Sequence, residues 1–219
     1  MDCILLAAGI GSRLQTNVPK QFYLMMGKPL FIHCLEILEE IEIIENVFVT
    51  CNKNYLKQYE KNIQNYSITK AILVKGGKTR QESVALALNY VNSERVIIHE
   101  AARPLVTANF IKSLLDYQDE AIVPVVPVNF TVAVGKDYMI DGLDRTTLKN
   151  IQLPQIFNTK LIKKAHKIAL LEKFSATEDS ILIHRMGRTV RFVPGMDVNI
   201  KITTVIDLLT AESILKNRE

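Results

Sequence analysis

The sequence predicts an α/β fold, a mostly parallel sheet covered by helices on both faces. Two observations predict it. Short apolar runs with strand character alternate with stretches of helical apolar spacing five times over residues 1–126. Three of those strands also run straight into loops rich in glycine or charge, as strands do where an open parallel sheet carries a site beyond its carboxyl ends.

Residues 1–7 are a short apolar run and read as a buried strand; it breaks into Ala8-Gly9-Ile10-Gly11-Ser12-Arg13. Pro29 opens a helix over 30–38, with apolar residues spaced for one buried face. A buried strand at 47–51 and a polar helix at 54–64 follow, then a strand at 71–74 that meets Gly76-Gly77. Thr79 and Glu82 are spaced as a capping box for the next helix. Residues 95–99 read as a strand, 108–117 as a helix and 121–126 as a strand. The rhythm then changes. Residues 131–134 and 138–140 flank a turn at Gly135-Lys136-Asp137, a hairpin pattern that predicts a projecting arm over about 128–157. Helices at 159–171, 178–186 and 205–215, a strand at 190–193 and an extended run at 199–203 complete the chain. The expectation is one Rossmann-like domain over 1–219, with the hairpin arm serving association.

The 219 residues suffice for a substantial core, and 48% hydrophobic with 23% charged residues is an ordinary globular balance. A net charge of +4 helps attract an anionic small molecule but does not argue for nucleic acid; no Lys/Arg block is interleaved with aromatics and Trp is absent. Cys3, Cys34 and Cys51 lack zinc-ligand or redox-motif spacing and read as buried free thiols. No signal core and no membrane-length apolar run is present, so a cytoplasmic protein with no membrane partner is expected.

Gly9 and Gly11 can take positive φ and let backbone amides approach phosphate oxygens, with Arg13 and Lys20 as nearby cations. The loop matches neither common phosphate fingerprint: no Gly-Lys-Ser/Thr ending follows, and Leu14 stands where a dinucleotide loop has its third glycine. A solvated turn with two surface cations is the alternative. In the 76–83 loop, Gly76, Gly77 and the Ser83 hydroxyl can read a base edge while Arg80 faces phosphates; an ordinary capped helix start is the alternative. Glu100 and Arg103 follow a buried strand and must be satisfied, by each other or by a substrate hydroxyl and phosphate. His99 reads as a general base or a satisfied core histidine. Lys201 stands in an otherwise apolar and hydroxyl-rich strand, where lysine is unusual unless at an exposed edge.

Together these residues resemble a family. Residues 6–13 followed by Pro19-Lys20-Gln21-Phe22 are similar to the signature loop of nucleotidyltransferases that activate phosphorylated sugars and polyols. Gly76-Gly77-x-x-Arg80-x-x-Ser83, His99-x-Ala101-Ala102-Arg103-Pro104, Asp144-Arg145, Pro154-Gln155-x-Phe157 and Asn199-Ile200-Lys201-Ile202-Thr203 resemble the 2-C-methyl-D-erythritol 4-phosphate cytidylyltransferases of non-mevalonate isoprenoid synthesis. The ribitol 5-phosphate cytidylyltransferases are close relatives. The resemblance implies transfer of CMP from CTP to a polyol phosphate, with methylerythritol phosphate the first acceptor and ribitol 5-phosphate the alternative, and release of pyrophosphate with Mg²⁺. A nucleotide-binding homologue without turnover is the reading from another class. By position, the resemblance implies nucleotide contacts at Ala7, Ala8, Gly9, Gly11, Gly76, Gly77, Arg80 and Ser83. It implies acceptor contacts at Glu100, Ala101, Arg103, Thr131 and Arg145, and catalytic cations at Arg13, Lys20 and Lys201; no metal-ligating residue is assigned. A homodimer is implied, with Arg145 reaching the partner's substrate. Four positions depart from the family's usual residues: Glu100 for Asp, Phe130 for Asp, Leu153 for Thr and Lys78 for an acidic residue. Loss of polar groups on the acceptor side is the expectation from Phe130 and Leu153.

Overall fold

The structure is a computed structural model and describes residues 1–9 and 19–218. In chain order its elements are β1 (Asp2–Leu6), β2 (Leu24–Met25), β3 (Lys28–Pro29), α1 (Leu30–Glu39), β4 (Asn46–Cys51), α2 (Leu56–Asn65), β5 (Ala71–Lys75), α3 (Arg80–Leu88), β6 (Arg95–Glu100), α4 (Ala108–Leu115) and β7 (Ala121–Pro127). There follow β8 (Val132–Gly135), β9 (Met139–Leu143), β10 (Lys149–Ile151), β11 (Gln155–Asn158), α5 (Thr159–Leu171), α6 (Asp179–Arg185), β12 (Arg191–Pro194) and α7 (Val205–Lys216).

β1, the most apolar of the early runs, lies inside the parallel part of the sheet, between β6 and β4. It pairs in parallel with β4 on one side and β6 on the other, and β5 extends the sheet beyond β4. β11 is antiparallel to both β6 and β7, while β12 is parallel to β7. The chain thus winds outward from β1 in one direction and then in the other, which opens a crevice at the strand carboxyl ends. The register sets what shares that edge: Leu6 lies opposite Thr50 and Glu100, and Thr50 opposite Val74.

Each sheet face buries its own apolar layer. On one, Leu5, Val49 and Ile97 pack with Phe31 and Leu35 of α1, Tyr59 of α2 and Ile111 of α4. On the other, Ile4, Phe48 and Ile98 pack with Val84 of α3, Ile162 of α5 and Leu182 of α6. A third cluster joins Met25 and Leu30 to Leu105, Ile202 and Ala211 of α7, and so fixes the segment that carries Lys201. Thr79, Thr107, Asn158 and Thr204 each cap a helix through their side chains, contributions of about 1 kcal/mol apiece.

The arm is shorter than the hairpin pattern predicts. β8 and β9 form their own two-stranded sheet, but β10 and β11 belong to the main sheet through β7 and β6. The segment 149–158 is held by these long-range ladders, which local residue patterns do not record. The extended run at 199–203 is not a strand either; it is tied down by Ile202 N–H donating to the Ala102 carbonyl at 2.8 Å and by the Asn199 amide donating to the Leu153 carbonyl at 2.7 Å. The cap at α3 differs in one bond from the box the sequence predicts: Thr79 accepts from Glu82 N–H, but the Glu82 carboxylate accepts from the backbone of Lys78.

Candidate active site

A cleft of about 780 Å³ opens at the carboxyl ends of β1, β4, β5 and β6. All three loops singled out in the sequence contribute to it: Ala7–Gly9 from the first, Gly76 to Ser83 from the second and Glu100 to Ala102 from the third.

The first loop is held through its peptide groups. Ala7 N–H donates to Thr50 Oγ1 at 3.1 Å. The Ala7 carbonyl accepts from the buried Tyr59 hydroxyl, which in turn accepts from the Gln21 side-chain amide at 2.6 Å. Burial pushes the Tyr59 phenol pKa up, so it remains a donor at every working pH. Thr50, Tyr59 and Gln21 are positioning residues; Gln21 belongs to the Pro19-Lys20-Gln21-Phe22 run noted in the sequence, but Thr50 and Tyr59 are not singled out there, because they look like core positions of a strand and a polar helix.

Gly76 meets this loop closely. A Cβ on Gly76 would sit 2.3 Å from the Ala8 Cβ, so only glycine lets the two loops touch. Close approach, not positive φ, is the reason for glycine here; Gly9 does not use the positive φ open to it, since among the described residues only Gly27 and Gly187 of the glycines have one. The Ser83 hydroxyl accepts from Gly77 N–H at 3.0 Å and donates to the Thr79 carbonyl at 2.9 Å. It therefore sets the loop's shape from a position in the cleft lining.

The floor is ionic. Glu100 Oε2 accepts from Lys201 Nζ at 2.8 Å, and Oε1 accepts from Arg103 Nε at 3.2 Å. Burial opposes ionisation of Glu100, but Lys201, Arg103 and Arg80 outweigh it and hold the carboxyl below its ordinary pKa. Arg103 also donates to the carbonyls of Asn199 at 2.7 Å and Ile151 at 3.4 Å. Its guanidinium is thereby committed to binding β6, β10 and the 199–203 segment together. Lys20 donates to the Ile202 carbonyl, which ties the end of the first loop to the same segment. His99 is fully buried and pairs through Nε2 with the Arg103 carbonyl at 3.1 Å; burial lowers its pKa to about 4, so it is a neutral core histidine and not a base facing the cleft.

Behind Arg80 lies a network absent from the sequence reading. Arg80 Nη1 meets Asp179 at 2.8 Å and Nη2 meets Glu178 at 3.2 Å. Asp179 also pairs with His166 Nε2 at 2.9 Å, and Glu178 accepts from the Gln155 amide at 3.1 Å. Burial opposes the Asp179 charge, and Arg80 and His166 outweigh it, lowering its pKa; for Glu178 burial prevails and the pKa is raised. Two adjacent carboxylates at a helix start look like ordinary dipole partners, so nothing local signals that Asp179 is buried and Glu178 partly so.

Of the residues the sequence nominates, Ala7, Ala8, Gly9, Lys20, Gly76, Gly77, Arg80, Ser83, Glu100, Ala101 and Lys201 line one cleft. Gly11 and Arg13 lie outside the described residues. Thr131 and Arg145 stand exposed on the arm, Arg145 donating to the Asn129 carbonyl at 3.0 Å, and neither lines the cleft. Leu153 is fully buried in the core, so it does not strip polarity from the cleft wall as its sequence position led us to expect. Phe130 is 83% exposed at the root of the arm. Among the described residues no three His, Cys, Asp or Glu side chains converge to hold a metal.

The model of the 2-C-methyl-D-erythritol 4-phosphate cytidylyltransferase family matches residues 1–217. The chain is 37% identical over 217 residues to the enzyme of that name from Bacillus cytotoxicus, covering 97% of this chain and 96% of the relative. It is 36% identical over 224 residues to that from Caldanaerobacter subterraneus, covering 99% of each. Its structure is similar to 4-diphosphocytidyl-2C-methyl-D-erythritol synthase from Anaerococcus prevotii, with a TM-score of 0.86, 26% identity and 98% and 95% of the two chains covered. It is also similar to the bifunctional IspDF from Campylobacter jejuni, with a TM-score of 0.81 and 33% identity; there 96% of this chain covers 53% of the longer one.

Proposed function

The chain belongs to the 2-C-methyl-D-erythritol 4-phosphate cytidylyltransferase family, and on that premise we propose that its cleft transfers a cytidylyl group from CTP to 2-C-methyl-D-erythritol 4-phosphate. The observation that carries this is the meeting, in one crevice, of a glycine-lined backbone slot at Ala7, Ala8, Gly76 and Gly77 with the cations Lys20 and Lys201. The slot suits a flat base, read by peptide groups and the Ser83 hydroxyl. The cations suit two anions brought side by side.

An oxygen of the acceptor phosphate bonds to the α-phosphorus of CTP. The bond from that phosphorus to the oxygen bridging to the β-phosphate breaks, and pyrophosphate leaves with the electron pair. The attacking phosphate is already anionic, so no side chain must remove a proton, in keeping with the neutral and buried His99. Catalysis is positioning and charge stabilisation. Lys20, together with Arg13, neutralises the triphosphate; Lys201, steadied by Glu100, faces the acceptor phosphate. Mg²⁺ supplied with CTP would add positive charge beside Lys20 and Lys201; among the described residues no three His, Cys, Asp or Glu side chains converge to hold it. Such an ion would spread the charge on the triphosphate.

The working unit in this reading is a homodimer. Among the described residues the β8–β9 hairpin pairs with no other strand, and Tyr138, Met139 and Ile140 on it are 87%, 74% and 78% exposed. A two-stranded ribbon of this kind is marginal unless it packs on something. A second copy supplies that surface, and Arg145 on the same arm then reaches the partner's acceptor. Free, buried Cys3, Cys34 and Cys51 favour a reducing, cytoplasmic setting. Among the described residues no helix is long and apolar enough to cross a membrane. Pyrophosphate release from CTP, Mg²⁺ and methylerythritol phosphate tests the reading, with ribitol 5-phosphate as the competing acceptor; folded protein that releases none with either overturns it.

A further inference from the structure

Among the described residues six basic side chains line the cleft: Lys20, Lys53, Lys75, Lys78, Arg80 and Lys201. Three already have protein partners, Lys201 on Glu100, Arg80 on Asp179 and Glu178, and Lys20 on the Ile202 carbonyl. The other three form a separate bank. Lys75 ends β5, where it is registered against Cys51 of β4. Lys53 lies two residues past Cys51, and Lys78 lies in the loop that β5 feeds. All three are exposed. Among the described residues none of the three has a carboxylate within 4.0 Å; exposed lysines outside the cleft such as Lys160 and Lys167 share that, and what sets these three apart is their place together on the cleft wall. The nearest acid in sequence, Glu82, turns its carboxylate to the Lys78 backbone amide at 2.7 Å.

Three unpaired positive charges on one wall of a concave site repel each other and remain unneutralised by the fold. A low-dielectric cleft focuses such a field and raises the encounter rate with anions. We propose that Lys53, Lys75 and Lys78 form a capture rim that draws the nucleoside triphosphate into the cleft, a role that rests on the reaction proposed above. The triphosphate is the better fit than the acceptor for two reasons. It carries the larger negative charge. The rim also flanks the 76–83 loop assigned to the nucleotide, while Lys201 and Glu100 lie on the acceptor side. The rim acts on approach, over a Debye length of about 8 Å at physiological salt, and not on the charge that develops as pyrophosphate leaves.

The test compares two triple variants that remove the same three charges. Lys53→Gln/Lys75→Gln/Lys78→Gln strips the rim; Lys160→Gln/Lys167→Gln/Lys173→Gln strips exposed lysines on and just after α5, none of which lines the cleft. At low salt the rim variant should lose about 3- to 10-fold in kcat/KM for CTP, with kcat within about twofold of wild type, and the gap should close as salt rises to about 0.5 M. The α5 variant should stay within about twofold throughout. Equal losses in both variants, a loss carried by kcat, or a gap that persists at high salt would overturn the rim. CTP binding by calorimetry over the same salt series reads the rim without turnover. Wild-type protein that binds CTP but releases no pyrophosphate therefore defeats the reaction and leaves the rim to be judged on its salt dependence.

Discussion

Lys201 Nζ lies 2.8 Å from Glu100 Oε2, and Glu100 is only 7% exposed, so the ammonium, with Arg103 on the other carboxylate oxygen, makes this buried charge tolerable. Lys201→Ala should act twice. Removing one preorganised charge-stabilising group lowers turnover by about 10²–10³-fold. It also lets burial raise the Glu100 pKa. In the wild type that pKa is lowered from 4.5, so the stability it confers is complete above 4.5 and is lost as pH falls below it through the folded value. The variant keeps less of that stability above 4.5, so its deficit against the wild type should be full at neutral pH and shrink as pH falls. Melting curves between neutral pH and about pH 4 check this, and parallel pH profiles for the two proteins would contradict it.

Lys20→Ala and Arg13→Ala should each cut turnover by about 10²–10³-fold without unfolding the protein. Lys20 follows the first loop, and its ammonium donates to the Ile202 backbone carbonyl. Single-turnover pyrophosphate release beside circular dichroism measures both effects. A variant that keeps near wild-type turnover removes its residue from the catalytic set.

Gly76→Ala tests the contact between the first two loops. Its Cβ would stand 2.3 Å from Ala8 Cβ and 3.3 Å from the Cys51 carbonyl. Overpacking of this kind costs about 1–3 kcal/mol, and at about 2–4 °C per kcal/mol the melting point should fall by several degrees. The CTP KM should rise because the slot is forced open. Adding Ala8→Gly removes the worst clash and should restore part of both losses; a double variant no better than Gly76→Ala would place the strain elsewhere.

Asp179→Asn probes the support behind Arg80. The aspartate is 1% exposed and joins Arg80 to His166. Breaking a buried ion pair from one side costs about 3–5 kcal/mol. The Asp179 pKa is lowered from 3.8, so its contribution is present above that value and lost as pH falls through the folded one. The deficit of Asp179→Asn should therefore be full at neutral pH and shrink in acid, as chemical denaturation at several pH values would show. A deficit that does not change with pH would mean lost packing rather than lost charge.

Most of the fold was legible because its strands are short apolar runs and its helices carry one-sided periodicity. The helix expected at 30–38 is α1 (Leu30–Glu39), and the strand expected at 95–99 is β6 (Arg95–Glu100). β10 and β11 escaped notice because they are three and four residues long, flank Pro154 and are defined by partners far away in sequence. In the site, strand-to-loop junctions marked Gly76, Glu100 and Lys20. The groups that hold them did not stand out: Tyr59 looks like an amphipathic helix residue, and Glu178 and Asp179 look like helix-start acids. Burial and long-range pairing turn those residues into site supports, and neither has a local sequence signature.

Arg145 and Lys20 provide the sharpest test of the dimer. Arg145 follows β9 on an exposed arm and does not line the cleft, whereas Lys20 does. If the arm packs on a second copy, Arg145 serves the partner's acceptor. Arg145→Ala should then raise the acceptor KM and leave CTP affinity nearly unchanged. Mixing subunits separates this from a defect within one chain. In a dimer of one Arg145→Ala subunit and one Lys20→Ala subunit, the first has an intact Lys20 and receives an intact Arg145 from the second, so it works. The other site lacks both. Turnover should recover to about half that of the wild-type dimer, although each variant alone is impaired. Light scattering that finds a monomer at assay concentration, no recovery on mixing, or an unchanged acceptor KM in Arg145→Ala would each rule out the shared site.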